Sequence, residues 1–245
     1  MSQTKYNIRI GTSGFYYNHW KGLFYPDDLP KNEWLEYFAK SFDTVEINNT
    51  FYQLPKKETI KSWYERTPEN FSFTIKANRF ITHIKKLKDS AESLKHFFET
   101  INILKEKLGP VLYQLPPSMK KNIGLLKAFI RLLPKNNLAV FEFRNISWFS
   151  QDTYDLLSKT DSAFCIHDLQ GITSPHIITR DNIYIRFHGS MGRYHGDYSD
   201  DTLEKWAIWI KQNLKKNKAL YAYFNNDVNA NAIKNAKTLK QLFLK

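Results

Sequence analysis

Residues 183–189 read IYIRFHG, and this stretch decides the fold. Ile183, Ile185 and Phe187 are bulky and apolar, while Tyr184, Arg186 and His188 stand between them. A period of two belongs to a β-strand, whose successive side chains point to opposite faces. A buried charge without partners is expensive, so the second face of this strand can be neither ordinary core nor a helix contact. A closed barrel of parallel strands resolves the conflict. One face of each strand meets the surrounding helices, the other fills the interior, and the carboxyl ends open into a mouth where sites of that fold lie.

Seven other stretches carry strand patterns: 8–11, 44–48, 72–77, 110–115, 139–144, 163–168 and 220–226. Amphipathic segments lie between them. Residues 89–109 predict one helix with Leu94, Phe97, Phe98, Ile101, Leu104 and Leu108 on a face, capped by Asp89 with Glu92 three residues on, and ended by Gly109. Residues 199–216 predict another, and Pro30 opens a third through EWLEYF. Only the sixth strand lacks a convincing helix behind it. Repeated strand–helix units imply parallel strands, and eight of them predict an α/β (β/α)8 TIM barrel occupying residues 1–245 as one domain. An open doubly wound sheet is the alternative.

Composition narrows the classes. A chain of 245 residues with 42% hydrophobic content can bury a large core. No apolar run approaches the roughly 18 residues of a membrane span. The start of the chain runs directly into a strand pattern, and Cys165 is the single cysteine, so a reducing cytoplasm is the expected setting. The net charge is +12, yet only 8 of 36 cations are arginine. A lysine bias has two readings, a polyanionic partner or the composition of the source genome, and position must decide between them.

Position favours a site. By strand parity Glu46, Asn48, Lys76, Gln114, Glu142, Arg144, Arg186, His188, Tyr223 and Asn225 face inward near the carboxyl ends, with Arg9 nearer the floor. His167 and Asp168 have opposite parity and both end the sixth strand. The structural alternative is an ion-pair lattice in which Glu46, Glu142 and Asp168 neutralise Arg9, Lys76, Arg144 and Arg186. Buried pairs seldom stabilise better than apolar packing, so the number of strands ending this way points to function.

The blocks GTSGFYYNHWKGLFYP, TVEINNTFYQLP, LGPVLYQLPP, FEFRNISWF, YIRFHG and YFNND follow one another between residues 11 and 227. This series resembles the YecE-like family, the domain of unknown function 72. The resemblance implies a (β/α)8 barrel and a candidate site at Glu46, Asn48, Gln114, Glu142, Arg144, Arg186, His188, Asn225 and Asn226, with no established reaction. Phe15 stands where the family usually has tryptophan.

Loops add expectations. HGSMGRYHGDYS (188–199) holds Gly189, Gly192 and Gly196 with Arg193 and His195, and NNDVNANA (225–232) follows the last strand; these are the loops in which this fold often cradles phosphate. Phe15, Tyr16, Tyr17, Trp20, Phe24 and Tyr25 either stack bases or sugars or plug a long loop, and the plug is preferred. Lys56 and Lys57, then Lys85, Lys86 and Lys88, then Lys120 and Lys121 follow strands, on the mouth side.

The expected chemistry is hydrolysis of a phosphate ester, with an anionic small molecule or nucleic acid as partner. Glu46 or Glu142 is the base, His188 the acid, and Asp168 completes the catalytic set. Arg144 and Arg186 clamp phosphate, with Lys76, Arg193, Asn48, Gln114, Tyr223, Asn225 and Asn226 positioning the substrate. Alternatives are a divalent metal on His167, Asp168, His188 and a glutamate, sugar cleavage by Glu46 and Glu142, a Schiff base at Lys76, and nucleic-acid binding without catalysis. Cys165 lies mid-strand among apolar neighbours, a poor nucleophile, and dinucleotide-binding glycines are absent.

Overall fold

The computed structural model describes residues 7–192, 194–215 and 218–244. Along the chain run β1 (Asn7–Thr12), α1 (Trp34–Ser41), β2 (Thr44–Ile47), α2 (Asn49–Tyr52), α3 (Lys57–Glu65), β3 (Ser72–Lys76), α4 (Ala91–Ile101) and β4 (Leu108–Leu115). There follow α5 (Ile123–Ile130), β5 (Ala139–Phe143), α6 (Gln151–Lys159), β6 (Ala163–His167), β7 (Ile183–Phe187), α7 (Asp200–Asn213), β8 (Ala219–Phe224) and α8 (Asn231–Gln241). The strands take the order β1-β8-β7-β6-β5-β4-β3-β2. A doubly wound sheet reverses its order part-way along. Here sequence neighbours remain spatial neighbours and β8 lies beside β1, which is the (β/α)8 arrangement. No helix among the described residues is long and apolar enough to cross a membrane.

The chain folds as two compact units. The first comprises Met1–Val45, Ile166–Ser174 and Asp181–Lys245, and the second Glu46–Cys165 and Pro175–Arg180. In the first, β1 pairs with β8 and β7 with β8, all parallel. In the second, β3, β4 and β5 pair in succession and β5 joins β6. Every residue of β2, β5, β6 and β7 is buried, as parallel strands covered on both faces must be.

The two faces of β7 meet different company. Phe187 stacks on Phe224 at 4.4 Å and meets Trp206 of α7 edge-on at 5.2 Å. Tyr184, one face over, lies against Tyr221 and Tyr223. The alternation in IYIRFHG therefore separates a helix-facing side from an aromatic interior.

Local structure departs from the periodic pattern in three places. The helix expected over 89–109 is α4 alone; a 3-10 turn, Asn102–Lys107, follows it and kinks at Lys105, where φ is 49°. Asp89 does not cap it, having a left-handed φ of 44°, and Ser90 holds the N-cap position. Gly109 ends no helix. It lies inside β4, where an added Cβ would stand 2.6 Å from Ser72 Oγ and 3.1 Å from Phe73 O, so close strand approach favours a glycine there. The apolar face itself is as expected, with Leu94, Phe97, Phe98, Ile101 and Leu104 all buried. α7 ends at Asn213, short of residue 216, and its N-cap Ser199 accepts from Thr202 N.

Among the described residues no helix joins β6 to β7. Side chains of that connection instead bind the strand: Thr179 Oγ1 accepts from Phe164 N at 2.9 Å, and Ser174 Oγ accepts from His167 N at 2.8 Å. The aromatic loop after β1 is mainly a plug. Trp20 and Tyr25 are buried, Tyr25 stacks on Trp34 at 4.4 Å and 5°, and Tyr16 remains exposed.

Candidate functional site

Two polar clusters form at carboxyl-terminal strand ends, one in each unit. In the first unit β7 delivers Arg186, 1% exposed. Its Nη2 donates to Ser13 Oγ at 3.1 Å, and its Nη1 lies 3.3 Å from His188 Nε2. A guanidinium carries donors only, so His188 Nε2 must offer its lone pair and the ring proton belongs on Nδ1. That Nδ1 lies 3.7 Å from Asp168 Oδ1, within ion-pair range but beyond a direct hydrogen bond. The same Oδ1 accepts from the His188 backbone N at 2.7 Å, and Oδ2 accepts from the Tyr198 hydroxyl. Tyr198 in turn accepts from Gly189 N at 2.8 Å. Burial, and then the charge of Asp168 beside it, push the Tyr198 hydroxyl far above the ordinary tyrosine pKa, so it stays a donor. The His167 ring stands edge-on to His188 at 6.0 Å. The parity ambiguity at the end of β6 thus resolves into two roles, with Asp168 bracing the end of β7 and His167 packing beside His188.

The glycines after β7 are conformational necessities at one point above all. Gly189 has φ +104°, and a Cβ there would stand 2.0 Å from His195 O. Without a side chain the loop folds back, with Tyr194 N donating to His188 O at 2.6 Å. Arg193, expected in this loop, lies outside the described residues. After β8, Asn225 is buried and its backbone N donates to Phe187 O at 2.7 Å. Asn226 Nδ2 donates to Gly196 O and Asn235 Oδ1, while its buried Oδ1 meets no donor among the described residues. Tyr223 is fully buried and its hydroxyl shares a 2.7 Å hydrogen bond with Thr44 Oγ1. Asp227 binds the first loop: its O accepts from Trp20 Nε1 at 2.8 Å, and His19 Nε2 lies 3.0 Å from that O and 3.2 Å from Oδ2. Burial raises the Asp227 pKa above the ordinary carboxylate value.

In the second unit β5 delivers Glu142, fully buried, and Arg144, 8% exposed, which form an ion pair. Gln114 Nε2, on the neighbouring β4, donates to Glu142 Oε1 at 3.0 Å. Lys76 ends β3 with its ammonium 4.2 Å from the centre of the Phe51 ring, a cation–π contact, and His83 meets the same ring edge-on at 4.8 Å. Thr50 Oγ1 donates to Lys76 O at 2.7 Å, tying α2 to the end of β3. Burial and then the positive charges of Lys76 and Arg79, with a further contribution from Arg144, lower the His83 pKa to about 4, so its imidazole is neutral at physiological pH. Glu46 is fully buried in β2, and Asn48 is the N-cap residue of α2.

Glu142 pairs with Arg144, whereas Arg9 pairs with Asp43 at 3.3 Å and Asp168 serves His188 and Tyr198. Among the described residues no three His, Cys, Asp or Glu side chains are grouped to hold a metal ion, so the set of His167, Asp168, His188 and a glutamate is not assembled. Reasoning from sequence missed Ser13, Tyr198, His19, Asp227, Phe51 and His83. The first five lie inside the quoted blocks or loops, where proximity to strand ends was the available signal. His83 lies in a π-helical turn, Phe80–Ile84, for which no periodicity exists to read.

Known proteins share this architecture. Residues 9–245 match the family described as "Protein of unknown function DUF72". A crystal structure of a DUF72 family protein from Thermotoga maritima is 30% identical, with a TM-score of 0.88 over 98% of this chain and 100% of that one. The UPF0759 protein YunF of Bacillus subtilis is 25% identical over 252 residues, 89% of each chain. The UPF0759 protein YecE of Escherichia coli K12 is 30% identical over 118 residues, 48% of this chain and 43% of its own length. With its parallel strands in barrel order and its near-complete match, the chain belongs to the YecE-like DUF72 family.

Proposed function

We propose that this protein binds a phosphate-bearing ligand, a small phosphoester or a nucleic-acid strand, against Arg186 and hydrolyses a phosphate ester there. The observation that carries the reading is how Arg186 is held. Its buried fork is oriented by the Ser13 hydroxyl and the His188 imidazole, and a guanidinium fixed in this way suits bidentate contact with an oxyanion. His188 supports the chemistry. As Arg186 Nη1 turns from it to the phosphate, the His188 Nε2 lone pair accepts a proton from an attacking water while the Asp168 carboxylate stabilises the ring through its Nδ1 side. The water oxygen bonds to phosphorus as the ester P–O bond breaks, and the proton on His188 passes to the leaving alkoxide. Glu142, already engaged by Arg144 and Gln114, suits the role of a structural anion or substrate contact better than that of the base. The alternative of sugar cleavage by Glu46 and Glu142 needs one of them as a proton donor, and the arginine-paired Glu142 is ill suited to that role, which leaves it to Glu46.

Turnover of bis(4-nitrophenyl) phosphate and binding of a single-stranded oligonucleotide test the proposal together. Arg186→Ala is expected to weaken binding and to lower kcat/KM by roughly a hundredfold, and His188→Ala to remove turnover while weakening binding only severalfold. Binding without turnover in the unaltered protein would leave a nucleic-acid binder and discard the hydrolase. Identical behaviour of Arg186→Ala and the parent protein would remove the clamp.

A further inference from the structure

The second unit holds a hollow at the other ends of its strands. Where α5 and α6 finish and β5 and β6 begin, a cavity of about 490 Å³ opens. That volume falls in the range of small-molecule sites, roughly 300–1,000 Å³. Four cations line it: Arg131 and Lys135 from the α5–β5 connection, Lys159 from the end of α6, and Arg180 from the stretch leading into β7. Ile130, Leu133 and Pro134 give it an apolar wall, and Asn137 a polar one.

The single carboxylate in the lining, Asp161, is already committed. Arg180 Nη2 lies 2.9 Å from its Oδ2 and Nη1 donates to its backbone O at 2.6 Å, so Arg180 is fixed as part of the wall. Arg131, Lys135 and Lys159 form no ion pair among the described residues. A purely structural account credits these cations to helix dipoles. Arg131 follows α5 and Lys159 closes α6, where carbonyl-rich ends attract positive charge. That account leaves Lys135 and the concavity itself unexplained. Each helix end supplies only about half a negative charge, so three unmatched cations keep a surplus of about two positive charges.

We propose that this hollow binds an organic anion carrying at least two negative charges, of the class of nucleoside or other organic diphosphates. The charged groups would meet Arg131, Lys135 and Lys159, and the organic body would lie on the Ile130–Leu133–Pro134 wall. The hollow is separate from the Arg186 cluster and does not depend on the reaction proposed for it.

Titration calorimetry of the full chain with ADP tests the proposal, with uncharged adenosine as control. Saturable ADP binding is expected, weakened at least about tenfold in the double variant Arg131→Gln, Lys159→Gln and unchanged in Lys205→Gln, an exposed lysine of α7. Both glutamines sit at helix ends and retain the side-chain stem, and circular dichroism verifies that the variant is folded; Lys135→Gln, in a loop, supplies a second, milder reading in the same direction. Three results would overturn the proposal: no ADP binding at millimolar concentration, adenosine binding as tightly as ADP, or loss of ADP binding in Arg186→Ala with the double variant unaffected.

Discussion

Two arginines end two strands of this protein, and their surroundings differ in kind. Arg144 at the end of β5 grips a buried carboxylate, Glu142, which Gln114 also holds. Arg186 at the end of β7 is oriented by Ser13 and His188, while the nearby carboxylate Asp168 binds the His188 backbone and Tyr198. The same residue type near the ends of two strands therefore keeps different company. One pairs with a buried glutamate; the other meets a serine hydroxyl and an imidazole. Presence of an arginine at a strand end does not distinguish these, and the identity of the groups that hold it does.

Breaking the first arrangement has the largest expected effect. Arg144→Ala strips a buried glutamate of an ion-pair partner and is expected to cost about 3–5 kcal/mol of unfolding free energy in a denaturant titration. Replacing Glu142 and Arg144 together by Gln and Met should cost much less, since no buried charge is left behind. If the single and double variants are equally destabilised, the pair is not the structural one of the two.

Ser13→Ala sharpens the second arrangement. It removes one neutral holder of Arg186 and is expected to cost only about 1 kcal/mol in stability, while lowering oligonucleotide affinity severalfold through loss of orientation. A large stability loss with unchanged affinity would show Arg186 to be a core residue like Arg144.

The smallest effect is a titration. His83 has its pKa lowered to about 4 by burial, Lys76 and Arg79. Its folded value lies below the ordinary histidine value of about 6.5, so the folded state binds this proton less well than the unfolded chain does. The contribution is fully present above pH 6.5 and is lost as pH falls through about 4. Following the imidazole resonances by NMR should place the midpoint there, and Lys76→Met should move it upward. A midpoint near 6.5 in the parent protein would mean that neither burial nor the cations around the second cluster act on this imidazole.

Much of this was legible in the sequence. The alternation in IYIRFHG, with its counterparts in the other strands, reflects steric facts about β-strands that hold whatever surrounds them. From it came the barrel class, and from the lack of an amphipathic stretch after residue 168 came the absence of a helix behind the sixth strand. Helix ends were less accessible. Gly109 reads locally as a stop signal, and only the approach of Ser72 from the neighbouring strand makes it a packing glycine instead. The π-helical turn bearing His83 has no period to betray it.

What the sequence by itself determined is which side chains each strand carries on each face, because the backbone geometry that sets parity is local. Which groups each arginine meets was decided only by tertiary structure. Ser13 is 173 residues from Arg186, and a contact at that separation follows from strand order and register. Hydrogen bonds select among groups within about 3 Å, and no local pattern can say which distant residue the fold will bring that near.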